Sequence, residues 1–290
     1  MKPPPFEYVA ATSIEQAVAE LVRHGGDAKL LAGGQSLVPM LNFRVLSPTA
    51  LIDINRVPGL DYIEPHRDGL RIGGLVRHHA LETSELVAKR FPVLSAAMTH
   101  VAHLAIRNRG TIGGSLAHAD PAAELPMMAR LLDAEITAAG ADGERTIPAV
   151  EFFEGALSTV LRDDEIVTGV ELPALPPSTG WGFEEFARRT GDFALAAAAA
   201  TVSVSEGIAK EVRIALMGVD ETPVRATEAE ALLVGHSLDA ERIADAAASV
   251  RTAVAPMDDL QASAGYRRHL AEALTVRVLG AAWKRAQGET

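Results

Sequence analysis

The sequence predicts two α+β units in one chain, and three observations carry that expectation. The first quarter alternates strand, helix and strand. Residues 173–180, Pro-Ala-Leu-Pro-Pro-Ser-Thr-Gly, make a stiff, helix-incompatible break. Three strand-like stretches then follow, with only helices after them, and no repeat or low-complexity tract interrupts the pattern.

Residues 6–9 form the first strand candidate. Ser13-Ile14-Glu15-Gln16 reads as a capping box, Ile14, Ala17, Val18, Leu21 and Val22 recur at helical spacing, and Gly25-Gly26 stops the helix. Residues 28–31 and 51–54 are short apolar runs; the first leads into Gly33-Gly34-Gln35-Ser36, and the second is bounded by Pro48 and Asn55. A strand is expected over 69–74, then helices over 84–90 and 92–103, with Pro92 in the first turn of the latter. After the glycine-rich residues 109–114, a helix is expected over 122–132, strands over 135–138 and 165–172, and a hairpin turn at Asp142-Gly143. Past the break, residues 181–189, 194–204 and 212–219 suit a meander, although the alanine run leaves the middle stretch open between strand and helix. Helices are expected over 224–234, 240–254 and 263–287.

Composition narrows the function. With 290 residues, 48% of them hydrophobic and 22% charged, the chain can bury a substantial core, so disorder is excluded as its main state. Its 27 Lys and Arg against 38 Asp and Glu leave a net charge of −11, which opposes a nonspecific grip on nucleic acid or anionic lipid. Cysteine is absent from the sequence, which excludes disulfides, thiolate-bound zinc, iron–sulfur clusters held by this chain and thiol nucleophiles. Redox chemistry here therefore needs an organic cofactor. The first residues lack the apolar core of a secretion signal, and the longest apolar stretch, 193–204, is short and broken by Thr201 and Ser203. A cytoplasmic protein with no membrane span is expected.

Several common active sites are missing by inspection. No lysine follows a glycine, so there is no phosphate-binding P-loop, and glycines never take G-x-G-x-x-G spacing. The stretches beginning Gly34-Gln35-Ser36 and Gly235-His236-Ser237 lack the final glycine of a nucleophile elbow, and no histidine is followed by glutamate. What remains is a pair of glycine doublets flanked by hydroxyls, Ala32-Gly33-Gly34-Gln35-Ser36 and Thr111-Ile112-Gly113-Gly114-Ser115. Consecutive glycines can take positive φ and present successive N–H groups to an anion, while Ser36, Thr111 and Ser115 add neutral donors. Ordinary turns are the alternative for either doublet, and Gly73-Gly74, with no adjacent hydroxyl, reads as a strand exit.

The stretches 32–41 (AGGQSLVPML) and 106–116 (IRNRGTIGGSL) together resemble the FAD-binding medium subunit of molybdenum hydroxylases, the group of aerobic carbon monoxide dehydrogenase and xanthine dehydrogenase. Residues 164–167 (DEIV), 188–194 (RRTGDFA) and 263–270 (SAGYRRHL) resemble later segments of that family, so the resemblance spans nearly the whole chain. It implies a vanillyl-alcohol-oxidase-type FAD-binding domain over 1–173, in two subdomains of roughly 1–55 and 56–173. A linker over 174–180 and a C-terminal α+β domain of the carbon monoxide dehydrogenase flavoprotein type over 181–290 complete the expected organisation.

The resemblance also implies noncovalent FAD, with Ala32, Gly33, Gly34, Gln35, Ser36, Leu37, Asn108, Thr111, Ile112, Gly113, Gly114, Ser115, Ala117 and Asp120 in its binding site. By the same resemblance Glu124 serves the adenine-side ribose, Ile166 and Val167 give an apolar site against the flavin, and Phe193 lies near the isoalloxazine. Molybdopterin and iron–sulfur clusters are expected only on a large and a small partner subunit, in a dimer of heterotrimers. One departure is a pair of acids, Glu184-Glu185, where the family often carries a lysine; Arg188 or Arg189 are possible substitutes.

Other titratable residues have blander readings beside the sharp ones. His100 and His103, three apart on an expected helix, suit either a metal or ordinary hydrogen bonds, and His78-His79 offers less; no metal site is expected. His118 can contact a flavin or an electron acceptor, or cap a loop. Asp120 and Glu124, four apart, can pair on a helix face or complement the helix dipole. Arg267, Arg268, Arg277, Lys284 and Arg285 make a basic strip that is either a solvated face or a docking surface. The expected function is electron transfer through FAD, with no side chain assigned as catalytic. A free-standing FAD oxidoreductase and a flavin-free structural subunit remain as alternatives.

Overall fold

The structure, a computed structural model, describes residues 2–289. Its first sheet is parallel, with the order β1-β3-β2, built from β1 (Glu7–Ala10), β2 (Ala28–Leu31) and β3 (Ala50–Asp53). Between β1 and β2 runs α1 (Ile14–His24). Ser13 Oγ accepts from Gln16 N–H, Gln16 Oε1 accepts from Thr12 N–H instead of closing the box on Ser13, and Gly25 ends the helix at φ 56°. Ala17, Val18 and Leu21 are the buried face of α1. Between β2 and β3 lies α2 (Leu37–Asn42), immediately after the first glycine doublet.

A five-stranded antiparallel sheet follows, in the order β4-β5-β10-β6-β7: β4 (Ile63–His66), β5 (Gly69–Gly73), β6 (Glu135–Gly140), β7 (Gly143–Pro148) and β10 (Ile166–Leu172). The β6–β7 hairpin turns at Ala141-Asp142, with Gly143 at φ 104°. Short helices cover this sheet: α3 (His78–Thr83), α4 (Glu85–Arg90), α5 (Pro92–Met98), α6 (Leu104–Arg107), α7 (Ile112–His118), α8 (Glu124–Leu131) and α9 (Ala149–Phe152). The two-stranded ribbon β8 (Phe153–Gly155) and β9 (Ser158–Thr159) leads back to β10.

Two expectations fail in this region. The helix expected over 92–103 stops at Met98: Thr99 Oγ1 donates to Ala96 O at 2.7 Å, and Ala102 has φ 40°. His100 and His103 therefore do not share a helix face, and His103 instead precedes α6 as its N-cap residue. Asp120 likewise lies outside α8, accepting from Ala122 N–H at 2.9 Å, so it and Glu124 are not a helical pair.

The last sheet is an antiparallel meander of β11 (Thr179–Phe186), β12 (Ala196–Ser205), β13 (Ile208–Met217) and β14 (Val224–Arg225), backed by α10 (Thr227–Leu233), α11 (Ala240–Ala253) and α12 (Ala264–Ala286). The alanine run is a strand because it is covered on both faces. Ala197 and Ala199 belong to the core beneath the five-stranded sheet, whereas Ala196, Ala198 and Ala200 belong to the core with the C-terminal helices. The same alternation on β11 turns Trp181 and Phe183 toward the first of these cores and Gly180 and Gly182 toward α12. Arg267 is buried in the same unit, donating to Leu195 O, to Gly218 O and to Asp259 at 2.8 Å.

A Cβ on Gly182 would overlap the Val278 carbonyl of α12 and stand 2.7 Å from its Cα. Gly182→Ala is expected to cost about 1–3 kcal/mol or more through forced separation of helix and sheet. Thermal unfolding checks this; an unchanged Tm would mean that α12 is free to withdraw.

Candidate functional site

A cavity of about 780 Å³ opens where the two sheets of the N-terminal half meet the turn after β11, a volume within the range of small-molecule and cofactor sites. Ala32, Gly33, Gly34, Gln35, Ser36, Leu37, Thr111, Gly113, Gly114, Ser115, Ala117, Asp120, Glu124, Ile166, Val167 and Phe193 all line it. Two expected residues do not. Asn108 is an exposed residue closing α6, and Ile112, the first residue of α7, is 3% exposed because that side of the helix turns into the core.

The first glycine loop has the form expected for an anion. Gly34 is at φ 71°, Gln35 Nε2 donates to Gly33 O at 2.8 Å, and the backbone amides of residues 33–37 donate to no protein acceptor among the described residues. The Ser36 hydroxyl stands beside these free donors on the cavity wall.

The second loop differs from its expectation. Neither Gly113 nor Gly114 has positive φ, and their amides are already used: Gly113 N–H donates to Gly74 O at 2.9 Å and Gly114 N–H to Thr111 Oγ1 at 3.1 Å. Close packing is what requires glycine here, since a Cβ on Gly113 would lie 2.7 Å from Gly74 O. To the cavity the loop contributes the hydroxyls of Thr111 and Ser115 and the small surface between them.

Side chains that the sequence did not single out hold the loops together. Asn55 Nδ2 donates to Ala32 O at 2.8 Å, and Asn55 Oδ1 accepts from Arg77 Nη2 at 2.7 Å. Arg77 Nη1 in turn donates to Arg109 O. A Cβ on Gly33 would overlap that same carbonyl and stand 2.8 Å from Gly110 Cα, so the two loops touch backbone to backbone. Only contact across the fold reveals this pairing, because Asn55 and Arg77 form no local motif. Beneath them, burial pushes His78 down to about 4, so the ring is neutral near pH 7 and donates to Thr111 O at 3.0 Å.

The two ends of the cavity differ. Leu21, Ala28, Lys29 and Ile166 line one end, and Ile166 packs into the core of the first sheet with Leu21 and Ala28. Glu165 closes this side with a side chain fully buried against Arg145, whose Nε and Nη2 donate at 2.7 and 2.9 Å and hold the carboxyl below its usual range. Glu124 lines the cavity from the start of α8, and Gly191, Asp192 and Phe193 line it from the turn after β11, where Gly191 sits against the His103 ring.

Burial, then repulsion from Glu185, pushes Glu124 up to about 8, and burial pushes Glu185 up to about 7. Glu124 is thus a neighbour of Glu185 on β11, and Ile166 packs with the first sheet. The resemblance sets Ile166 and Phe193 at the flavin and Glu124 at the adenine-side ribose, and all three line this one cavity.

These features suit a flavin dinucleotide: free amides and hydroxyls midway for a pyrophosphate, apolar walls for ring systems, and an exposed aromatic at the rim. The fold and site define an FAD-binding oxidoreductase subunit. Residues 4–175 match the FAD binding domain in molybdopterin dehydrogenase, and residues 181–282 match the CO dehydrogenase flavoprotein C-terminal domain.

The 6-hydroxypseudooxynicotine dehydrogenase complex subunit alpha of Paenarthrobacter nicotinovorans is 44% identical over 288 residues, covering 99% of this chain and 97% of that protein. The medium chain of carbon monoxide dehydrogenase from Hydrogenophaga pseudoflava is 38% identical over 285 residues, 98% of this chain and 99% of its own. A solved carbon monoxide dehydrogenase structure from the same organism superposes with a TM-score of 0.96 at 40% identity, covering 98% of this chain and 99% of the other. The chain belongs to the family of FAD-binding medium subunits of molybdenum hydroxylases, electron-transfer components of multi-subunit oxidoreductases.

Replacing Gly34 by Val places a β-branched residue at positive φ, costing about 1–2 kcal/mol in backbone energy alone and displacing the loop amides. FAD affinity is expected to fall more than tenfold with folding intact, whereas Gly113→Val should lower Tm before affinity. Flavin fluorescence titration with parallel thermal melts distinguishes the two, and equal FAD affinity in Gly34→Val would return that glycine to an ordinary turn.

Proposed function

We propose that FAD lies through this cavity with its pyrophosphate at the amides of residues 33–37 and the hydroxyls of Ser36, Thr111 and Ser115. The isoalloxazine then lies toward Phe193, Ala117, Asp120 and Glu124, and the adenine toward Ile166 and Ala28. Phe193, 72% exposed, supports this direction, because a ring that exchanges electrons with a partner belongs at the open end. Val167, Gly113 and Gly114 supply the middle wall. When bound, the flavin supplies the conversion between single-electron and two-electron transfer.

The protein's own part is to bind the anion without a lysine cluster, to exclude water from the middle of the cavity and to leave one end open. In this reading electrons come from iron–sulfur clusters on a small subunit, substrate is oxidised on a large molybdopterin subunit, and an outside acceptor takes the electrons away. The absence of cysteine from this chain supports placing the clusters on a partner. Two such heterotrimers pair in the assembly that the family resemblance implies, in the cytoplasm. No helix among the described residues is long and apolar enough to cross a membrane.

The carrying observation is the row of unpaired amides at Gly33 to Leu37 facing a dinucleotide-sized cavity. Mixing FAD-loaded chain with reduced iron–sulfur and molybdenum subunits should bleach the flavin rapidly, and the chain alone with organic substrate should not. Full-rate flavin reduction by an organic substrate without partners would replace this reading with a free-standing oxidoreductase.

A further inference from the structure

The strand alternation that turns Trp181 and Phe183 toward the FAD-binding half also turns Glu185 that way. Its side chain is only 5% exposed, and its Oε2 is buried with no hydrogen-bond partner among the described residues. An unpaired carboxylate in such a place is costly, while a protonated carboxyl is tolerated. Glu185 lies near enough to Glu124 to repel it, and Glu124 lines the cavity. On the outer side, His100 Nδ1 stands 3.9 Å from Glu185 Oε2, with its ring against Phe183 and nearly half exposed to solvent.

We propose that Glu124 and Glu185 form a redox-linked proton store: the pair takes a proton from solvent by way of His100 when electrons enter the cavity and returns it when they leave. The proposal rests on FAD occupying the cavity as described above. In the balanced step, reduced iron–sulfur clusters of a partner are oxidised and two electrons pass one at a time to FAD, whose ring takes its own proton from water. One proton from water forms an O–H bond on the carboxyl pair, offsetting part of the added negative charge. When the outside acceptor removes the two electrons, that O–H bond breaks and the proton returns to water. The 3.9 Å gap at His100 exceeds a hydrogen bond and is spanned by a side-chain rotation or one bridging water.

The surroundings favour such a store over a structural ion pair. Asp120, in the turn before α8, adds a third acid and raises Glu124 further. Opposite Glu185 on β12 is Ala197, and β12 carries no charged residue. α5 carries none either, so His100 just beyond it is the titratable group on that side; burial lowers its proton affinity, and the charge of Glu184 acts in the opposite direction. Glu184 points to the other face of β11, 4.0 Å from Arg277 of α12. Neither Glu124 nor Glu185 forms an ion pair with lysine or arginine among the described residues. The proton affinities of both acids lie where a change of charge in the cavity shifts their occupancy near neutral pH.

Two measurements test the store. Infrared titration of the FAD-free chain should show a protonated carboxyl at pH 7 that is lost by pH 9, with the signal diminished in Glu185→Gln. Potentiometric titration of the FAD-loaded chain between pH 7 and 8 should show more protons taken up per electron pair in the native chain than in Glu185→Gln, at equal FAD content. Identical proton stoichiometry in the two chains, or no carboxyl titrating between pH 7 and 9, would overturn the proposal. Failure to bind FAD would contradict the functional reading instead, and the infrared titration would still judge the pair. If Glu185→Gln does not fold, the native infrared titration decides alone.

Discussion

Direct contact of backbone on backbone between the two glycine loops is the constraint on which the site depends. Gly33 lies against Arg109 and Gly110, Gly113 against Gly74, and Gly74 against the Val167 carbonyl, and at each position a Cβ would fall within contact distance of main-chain atoms. A continuous path without side chains therefore joins the parallel sheet to the centre of the antiparallel one. Asn55 and Arg77 secure it by hydrogen bonds to carbonyls on both loops. The second loop spends its Gly113 amide on this joint and its Gly114 amide on its own Thr111 hydroxyl, whereas those of the first stay available to an anion. The doublets are alike in sequence and divide the work between packing and binding.

The C-terminal sheet completes the site through an equally geometric device. β12 is small enough along its alanines to be buried on both faces, so one strand serves two cores. That arrangement sets β11 against α5 and brings the turn carrying Gly191 and Phe193 to the cavity rim. It also commits Glu185 to an interior position, where its charge is expensive. The cavity wall carries the acids Asp120, Glu124, Asp163, Glu165 and Asp192 and the cations Lys29 and Arg162.

Local signals made much of this legible in the sequence. Ser13 and Gly25 bracket α1, the apolar run 28–31 is β2, and a Pro-rich stretch precedes β11, all readable because caps, turns and periodicity are short-range. Long-range contact decided the rest. Nothing near His100 shows that its helix has already ended, and the alanine run reads as strand only once both faces are seen to be covered. Glycine doublets with flanking hydroxyls marked both loops, but not which of them keeps its amides free. Asn108 and Ile112 share the motif stretch with true wall residues and are turned away by the phase of α6 and α7. Asn55 and Arg77 carry no signature at all, since their importance lies in which carbonyls they reach.

If these loops enclose a site for one flavin dinucleotide, the chain carries a fixed amount of nucleotide. Denaturing release of nucleotide from the purified, FAD-reconstituted chain, followed by chromatographic quantification, tests it most directly. One FAD for each chain is expected. Recovery of FMN alone, or of no flavin, would contradict it.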